Sequence, residues 1–105
     1  MNIEREYMKG YGIEKVENGK LVKIKVDFDE HINSIQILGD FFLYPEESIF
    51  EMETQLKGIP ASQSQESIQA ILDNCLKTSH AKLVGMTTEA IARTIKKAMT
   101  EGVQR

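Results

Sequence analysis

The chain has 105 residues, 41% hydrophobic and 28% charged, with a net charge of −3, enough for one globular domain that buries roughly 65% of the surface its unfolded chain exposes. No apolar run approaches the ~20 residues that span a bilayer, and residues 1–6 lack a basic-then-apolar leader pattern, so a cytoplasmic location is expected. The single cysteine, Cys75, excludes an internal disulfide framework and a multi-cysteine metal site.

In chain order, Asn18-Gly19 is the strongest hairpin signal, because a two-residue type I′ loop needs positive φ at both positions. It predicts strands over about 11–17 and 20–28. The register pairs Val16 with Leu21, Glu14 with Lys23, Ile13 with Ile24 and Tyr11 with Val26. One face then carries Tyr11, Ile13, Ile24 and Val26, and the other the opposite-charge pair Glu14 and Lys23. A second two-residue loop at Glu30-His31 places a third strand at about 33–38, with Val26 opposite Ile35, Ile24 opposite Ile37 and Lys25 opposite Gln36. A slip of one residue would turn that strand inside out. His31 falls in the turn.

The run Gly39-Asp40-Phe41-Phe42-Leu43-Tyr44-Pro45-Glu46-Glu47 holds three of the seven aromatic residues within four positions. It reads as a strand-to-helix corner: Gly39 lets the backbone leave the strand, Asp40 is a turn former, and Pro45 suits the first position of a helix. Its aromatics are either core plugs or anchors for a partner. Beyond it the apolar period changes from two to about 3.6. Ile49, Met52 and Leu56 form the stripe of a helix over about 46–57, with Glu46 and Glu47 in its first turn and Gly58 and Pro60 ending it. Ser62 or Ser64 caps a second helix, 64–78, with Ile68, Ile71, Leu72, Cys75 and Leu76 on one face. Residues 79–85 read as a connection. Thr87 caps a third helix, 88–100, with Met86 and Ile91 as a hydrophobic staple and Gly102 as terminator. Ile91, Ile95, Ala98 and Met99 face inward. The expected architecture is α+β: one domain over 1–105, a three-stranded antiparallel meander with three helices on one face, and the other face open to water, a partner or a second copy.

Residues 27–54 carry eight acidic side chains and no lysine or arginine, whereas residues 79–105 carry five basic and two acidic ones. An acidic middle argues against a nucleic-acid groove and fits either a basic partner or a solvated face. Catalytic signatures are missing: there is no Gly-rich phosphate loop, no paired His with a carboxylate at metal spacing, and no Ser-His-Asp set. Cys75 lies on the buried stripe, where a thiol is inert; His80 lies in a connection without a carboxylate partner.

Gly19-Lys20-Leu21-Val22, the Gly39-to-Glu47 run, Leu56-Lys57-Gly58 and Val84-Gly85-Met86-Thr87-Thr88-Glu89-Ala90-Ile91 together resemble the small C-terminal domain of lipoate–protein ligases. The resemblance spans about residues 15–99. It implies a fold similar to the sulfur-acceptor and iron–sulfur scaffold fold, whose chemistry needs exposed cysteines that this chain lacks. With Met1 just before it, the chain looks like a stand-alone accessory subunit of a two-component, archaeal-type ligase. The resemblance further implies no catalytic residues and no cofactor here. ATP, Mg and lipoate would be bound by a catalytic partner subunit, whose targets are lipoyl acceptor domains. Lys20, Gly39, Asp40, Phe41, Phe42 and Tyr44 are the expected partner-binding residues. Two other readings are a generic interaction module and a sulfur carrier using Cys75.

Overall fold

The structure is a computed structural model that describes residues 7–100, of Asn18 the backbone alone, and the backbone of residues 103–104. Strands β1 (Met8–Lys15), β2 (Leu21–Phe28) and β3 (Ile32–Gly39) form an antiparallel meander. Helices α1 (Ser48–Leu56), α2 (Gln65–Thr78) and α3 (Thr88–Thr100) cover one face of it, giving the expected α+β fold. Three short strands were not foreseen. β4 (Phe42–Tyr44) and β5 (Lys82–Val84) pair into a separate ribbon, and β6 (Val103–Gln104) pairs with β1. The main sheet thus has the order β3-β2-β1-β6.

The first hairpin departs from its predicted register by one residue. Lys15 lies opposite Leu21, Glu14 opposite Val22, Gly12 opposite Ile24 and Gly10 opposite Val26. The loop is one residue longer than a type I′ turn: Val16 N–H donates to the Lys20 carbonyl at 2.8 Å around a 3-10 turn over Glu17–Gly19. Gly19 has φ of 82°, the left-handed residue of a three-residue loop. The slip turns β1 over. Tyr11 and Ile13 face solvent, while Gly10 and Gly12 face α3. A Cβ on Gly10 would collide with the Ala98 carbonyl, and one on Gly12 would lie 2.8 Å from the Thr94 carbonyl oxygen. The helix backbone therefore sits where side chains would stand on an ordinary strand. Matching apolar residues across the hairpin failed because the core-facing residues of β1 are glycines.

The second hairpin has the expected pairs: Val26 with Ile35, Ile24 with Ile37 and Lys25 with Gln36. Its turn differs, because a bulge between Asp27 and Phe28 puts Phe28 opposite Ile32. His31 is exposed, as expected of a turn residue.

The helix starts follow local chemistry. Ser64 Oγ accepts the Ser67 N–H at 3.1 Å, and Thr87 Oγ1 accepts the Ala90 N–H at 3.0 Å. α1 begins two residues later than predicted. Pro45 is not its first residue but opens turns in which Ser48 N–H donates to the Pro45 carbonyl and Phe50 N–H to that of Glu47, each at 3.0 Å. The Tyr44–Pro45 peptide is cis. At the end of α2, His80 has φ of 53°. Ala81 N–H donates to the Leu76 carbonyl at 2.8 Å and His80 N–H to that of Lys77 at 3.3 Å, which is the Schellman arrangement. The predicted terminator Gly102 lies outside the described residues.

α1 packs beside β3, α3 lies over β1 and β2, and α2 sits between the two helices. Ile24, Ile32, Met52, Leu56, Ile68, Leu72, Ile91 and Ile95 are fully buried between the layers, each contributing ~1.5–3 kcal/mol of transfer free energy. Two carboxylates join helix to sheet. Glu53 of α1 accepts the backbone N–H of Ile37 at 2.8 Å. Glu14 of β1 accepts from Arg93 of α3, whose Nε lies 3.1 Å from both carboxylate oxygens and whose Nη2 also donates. Residues 58–61 lie along the start of β3: Gly58 N–H donates to the Ile32 carbonyl at 2.7 Å, and Ile32 N–H to that of Ile59 at 2.9 Å.

Candidate interaction site

The aromatic corner resolves into an inward and an outward part, and the β4–β5 ribbon divides them. Phe42 lies opposite Val84, Leu43 opposite Leu83 and Tyr44 opposite Lys82. Directly opposed residues share a face and successive ones alternate. Leu43 is buried and Leu83 packs against the core. Phe42, Tyr44 and Val84 are left 51%, 54% and 43% exposed. The rings of Phe42 and Tyr44 stack with centroids 6.2 Å apart and planes 8° from parallel. Lys20 Nζ stands over the Phe42 ring, 5.5 Å from its centroid, a cation–π contact of about 0.5–1 kcal/mol at an exposed position. The Lys20 stem runs beside Gly85, where a Cβ would lie 3.2 Å from Lys20 Cγ; Gly85 also needs its freedom, with φ of 85°.

The remaining corner residues hold this platform in place. Phe41 is half-buried against the core. Gly39 ends β3 without a left-handed φ, contrary to the sequence argument. Its requirement is space, since a Cβ there would collide with the Phe41 ring and the Leu21 carbonyl. Asp40 Oδ1 accepts the Leu21 N–H at 2.7 Å and Asp40 N–H donates to the Leu21 carbonyl at 3.3 Å, which extends the β2–β3 ladder by a side chain. Of the six residues expected to bind a partner, Lys20, Phe42 and Tyr44 form one stack, with both rings exposed and Lys20 half-buried. Gly39, Asp40 and Phe41 build its support. An open groove of about 260 Å³ adjoins the stack, lined by Leu38, Phe41, Phe42 and Ile49 among others.

Phe50 was missed. It is 66% exposed on α1, and its sequence signal is an aromatic out of phase with Ile49, Met52 and Leu56. Lys82 and Val84 were also missed, because the three-residue alternation Lys-Leu-Val is too short to register as a strand.

No group of three or more His, Cys, Asp or Glu side chains that could hold a metal occurs among the described residues. Cys75 is 3% exposed. Burial, followed by the charge of Glu51, pushes its thiol pKa up, which opposes nucleophilic use and the sulfur-carrier reading. His80 is exposed and serves as the left-handed residue ending α2. A cleft of about 480 Å³ between the first hairpin loop and the start of α3 contains the Glu14–Arg93 pair. Arg93 holds the Glu14 carboxyl below its ordinary value, opposed by partial burial. Among the described residues no helix is long and apolar enough to cross a membrane.

No protein-family model matches the sequence, and no curated protein matches it. Among solved structures, the chain is similar to one from an archaeal lipoylation system, a bi-partite lipoate protein ligase and its E2 lipoyl domain from Thermoplasma acidophilum. The TM-score is 0.72 at 26% identity, over 86% of this chain and 97% of that one. The two chains are therefore alike in length as well as in fold.

Proposed function

We propose that this chain is the non-catalytic accessory subunit of a lipoate–protein ligase. It docks on a catalytic subunit and enables ATP-dependent activation of lipoate and lipoylation of acceptor domains. The observation that carries the docking surface is the exposed Phe42–Tyr44 ring stack, with the half-buried Lys20 over the Phe42 ring. Aromatic rings are among the side chains enriched at protein interfaces, and an isolated domain has no folding reason to expose two stacked rings. The lipoylation context is supported by the likeness to a solved structure of an archaeal lipoylation system, a bi-partite lipoate protein ligase and its E2 lipoyl domain.

ATP, Mg and lipoate belong to the catalytic subunit in this reading, and the accessory chain contributes binding energy. Contacts made only with the competent conformation of the partner shift its population toward that state. Lys20 orients the Phe42 ring, and Leu43 and Leu83 fix the ribbon to the core.

The test is lipoyl-adenylate formation by a candidate catalytic subunit, with and without this chain, and with this chain alone as control. Activity is expected only in the mixture. A Phe42→Ala/Tyr44→Ala variant that retains its fold is expected to weaken subunit affinity by about 2 kcal/mol, roughly thirtyfold. No stimulation by the wild-type chain with a competent partner overturns the accessory role. Full stimulation and unchanged affinity in the double variant overturn the docking surface alone.

A further inference from the structure

The side of the main sheet turned away from the helices has a composition of its own. Across β1 and β2 it presents Lys9, Lys15, Lys23 and Lys25, all exposed, against one acid, Asp27. Asp27 is already engaged by Lys9 at 3.9 Å and by Ser34 Oγ at 3.2 Å. Among these lysines stand Tyr11, Ile13 and Leu38, 47%, 53% and 37% exposed. The register sets Tyr11 beside Lys25, and Ile13 beside Lys23, which neighbours Leu38. In a chain of net charge −3, this face is positive and part apolar.

Three properties narrow the occupant. A second copy would set lysine against lysine across an isologous contact. Nucleic acid is poorly matched by an acidic chain. Lysine is depleted from the cores of lasting interfaces, so this face suits a transient partner steered in by opposite charge. A subunit that activates lipoate stays bound through turnover, whereas the protein that receives the lipoyl group must arrive and leave each cycle.

We infer that the outer sheet face, centred on Tyr11, Ile13, Lys23 and Lys25, is the docking surface for the acceptor protein of the ligation, engaging a carboxylate-bearing patch on it. This inference rests on the accessory-subunit reading but uses different residues from the aromatic stack.

The experiment has two arms. The lipoyl acceptor domain is titrated into the isotope-labelled full chain, and amide resonances are expected to move at residues 11–13 and 23–25, with binding that weakens as salt is raised. Lys23→Glu/Lys25→Glu is expected to cut this affinity at least about tenfold, and Tyr11→Ala by a smaller factor. In the complete ligation assay the lysine variant raises KM for the acceptor by a similar factor, while acceptor-independent adenylate formation stays at the wild-type level. Unchanged affinity and KM in the lysine variant overturn the inference and leave the accessory role standing. Absence of adenylate stimulation by the wild-type chain overturns both. Tighter binding of a single-stranded oligonucleotide at the same residues, or a dimer that the lysine variant dissociates, assigns the face to another occupant and overturns it.

Discussion

β1 and β3 flank the same central strand but meet the helix layer in opposite ways. β3 turns Ile32, Ile35 and Ile37 inward, and these side chains hold α1 off the sheet. β1 turns Gly10 and Gly12 inward, and α3 comes down until its carbonyls occupy the space of the missing Cβ atoms. One contact is made by side chains and can relax; the other is made by backbone and cannot. The close approach also settles what β1 does with its large residues, since Tyr11 and Ile13 have only the outer face left.

The strongest way to break this comparison is Gly10→Ala. Overpacking against backbone rather than a pliable side chain is expected to cost about 4 kcal/mol in urea unfolding, the upper end for such a change. On the other flank Ile37→Ala, which leaves a cavity, is expected to cost about 3 kcal/mol. A Gly10 variant that loses less than the Ile37 variant would show that α3 can lift away. Glu14→Gln sharpens the comparison, because the Glu14–Arg93 pair pins the glycine strand to the same helix. A loss of about 1 kcal/mol is expected at pH 7 for this partly exposed pair. Since Arg93 lowers the Glu14 pKa below its ordinary 4.5, the pair's contribution is present above pH 4.5 and disappears as pH falls through the lower folded value. Unfolding titrations of wild type and variant should therefore converge in acid. The smallest effect is a control touching neither flank. His80→Gly at the left-handed end of α2 is expected to gain about 0.5–1 kcal/mol, read as a higher Tm.

What the sequence discloses depends on how local the cause is. The starts of α2 and α3 follow from a serine and a threonine hydrogen-bonding within four residues, and both were readable. The β2–β3 register was readable because Ile24, Val26, Ile35 and Ile37 all face the core. The β1 register was not, because a glycine gives no hydropathy signal when a helix backbone fills its place. The aromatic corner was visible as a cluster. Its division into a buried Leu43 and exposed Phe42 and Tyr44 depends on β5, some forty residues away, which no local pattern supplies.

The carboxylate of Glu53 on the Ile37 amide has a consequence for self-association. β3 is one of the two outer strands of the main sheet, and an unpaired outer strand is a template on which other chains can add. A strand approaching β3 would meet a charged group already occupying the Ile37 amide, and residues 58–61 bonded at Ile32. Recruitment of a foreign strand would have to displace both. The acid that joins α1 to the sheet thus also guards this edge of the chain against edge-to-edge aggregation.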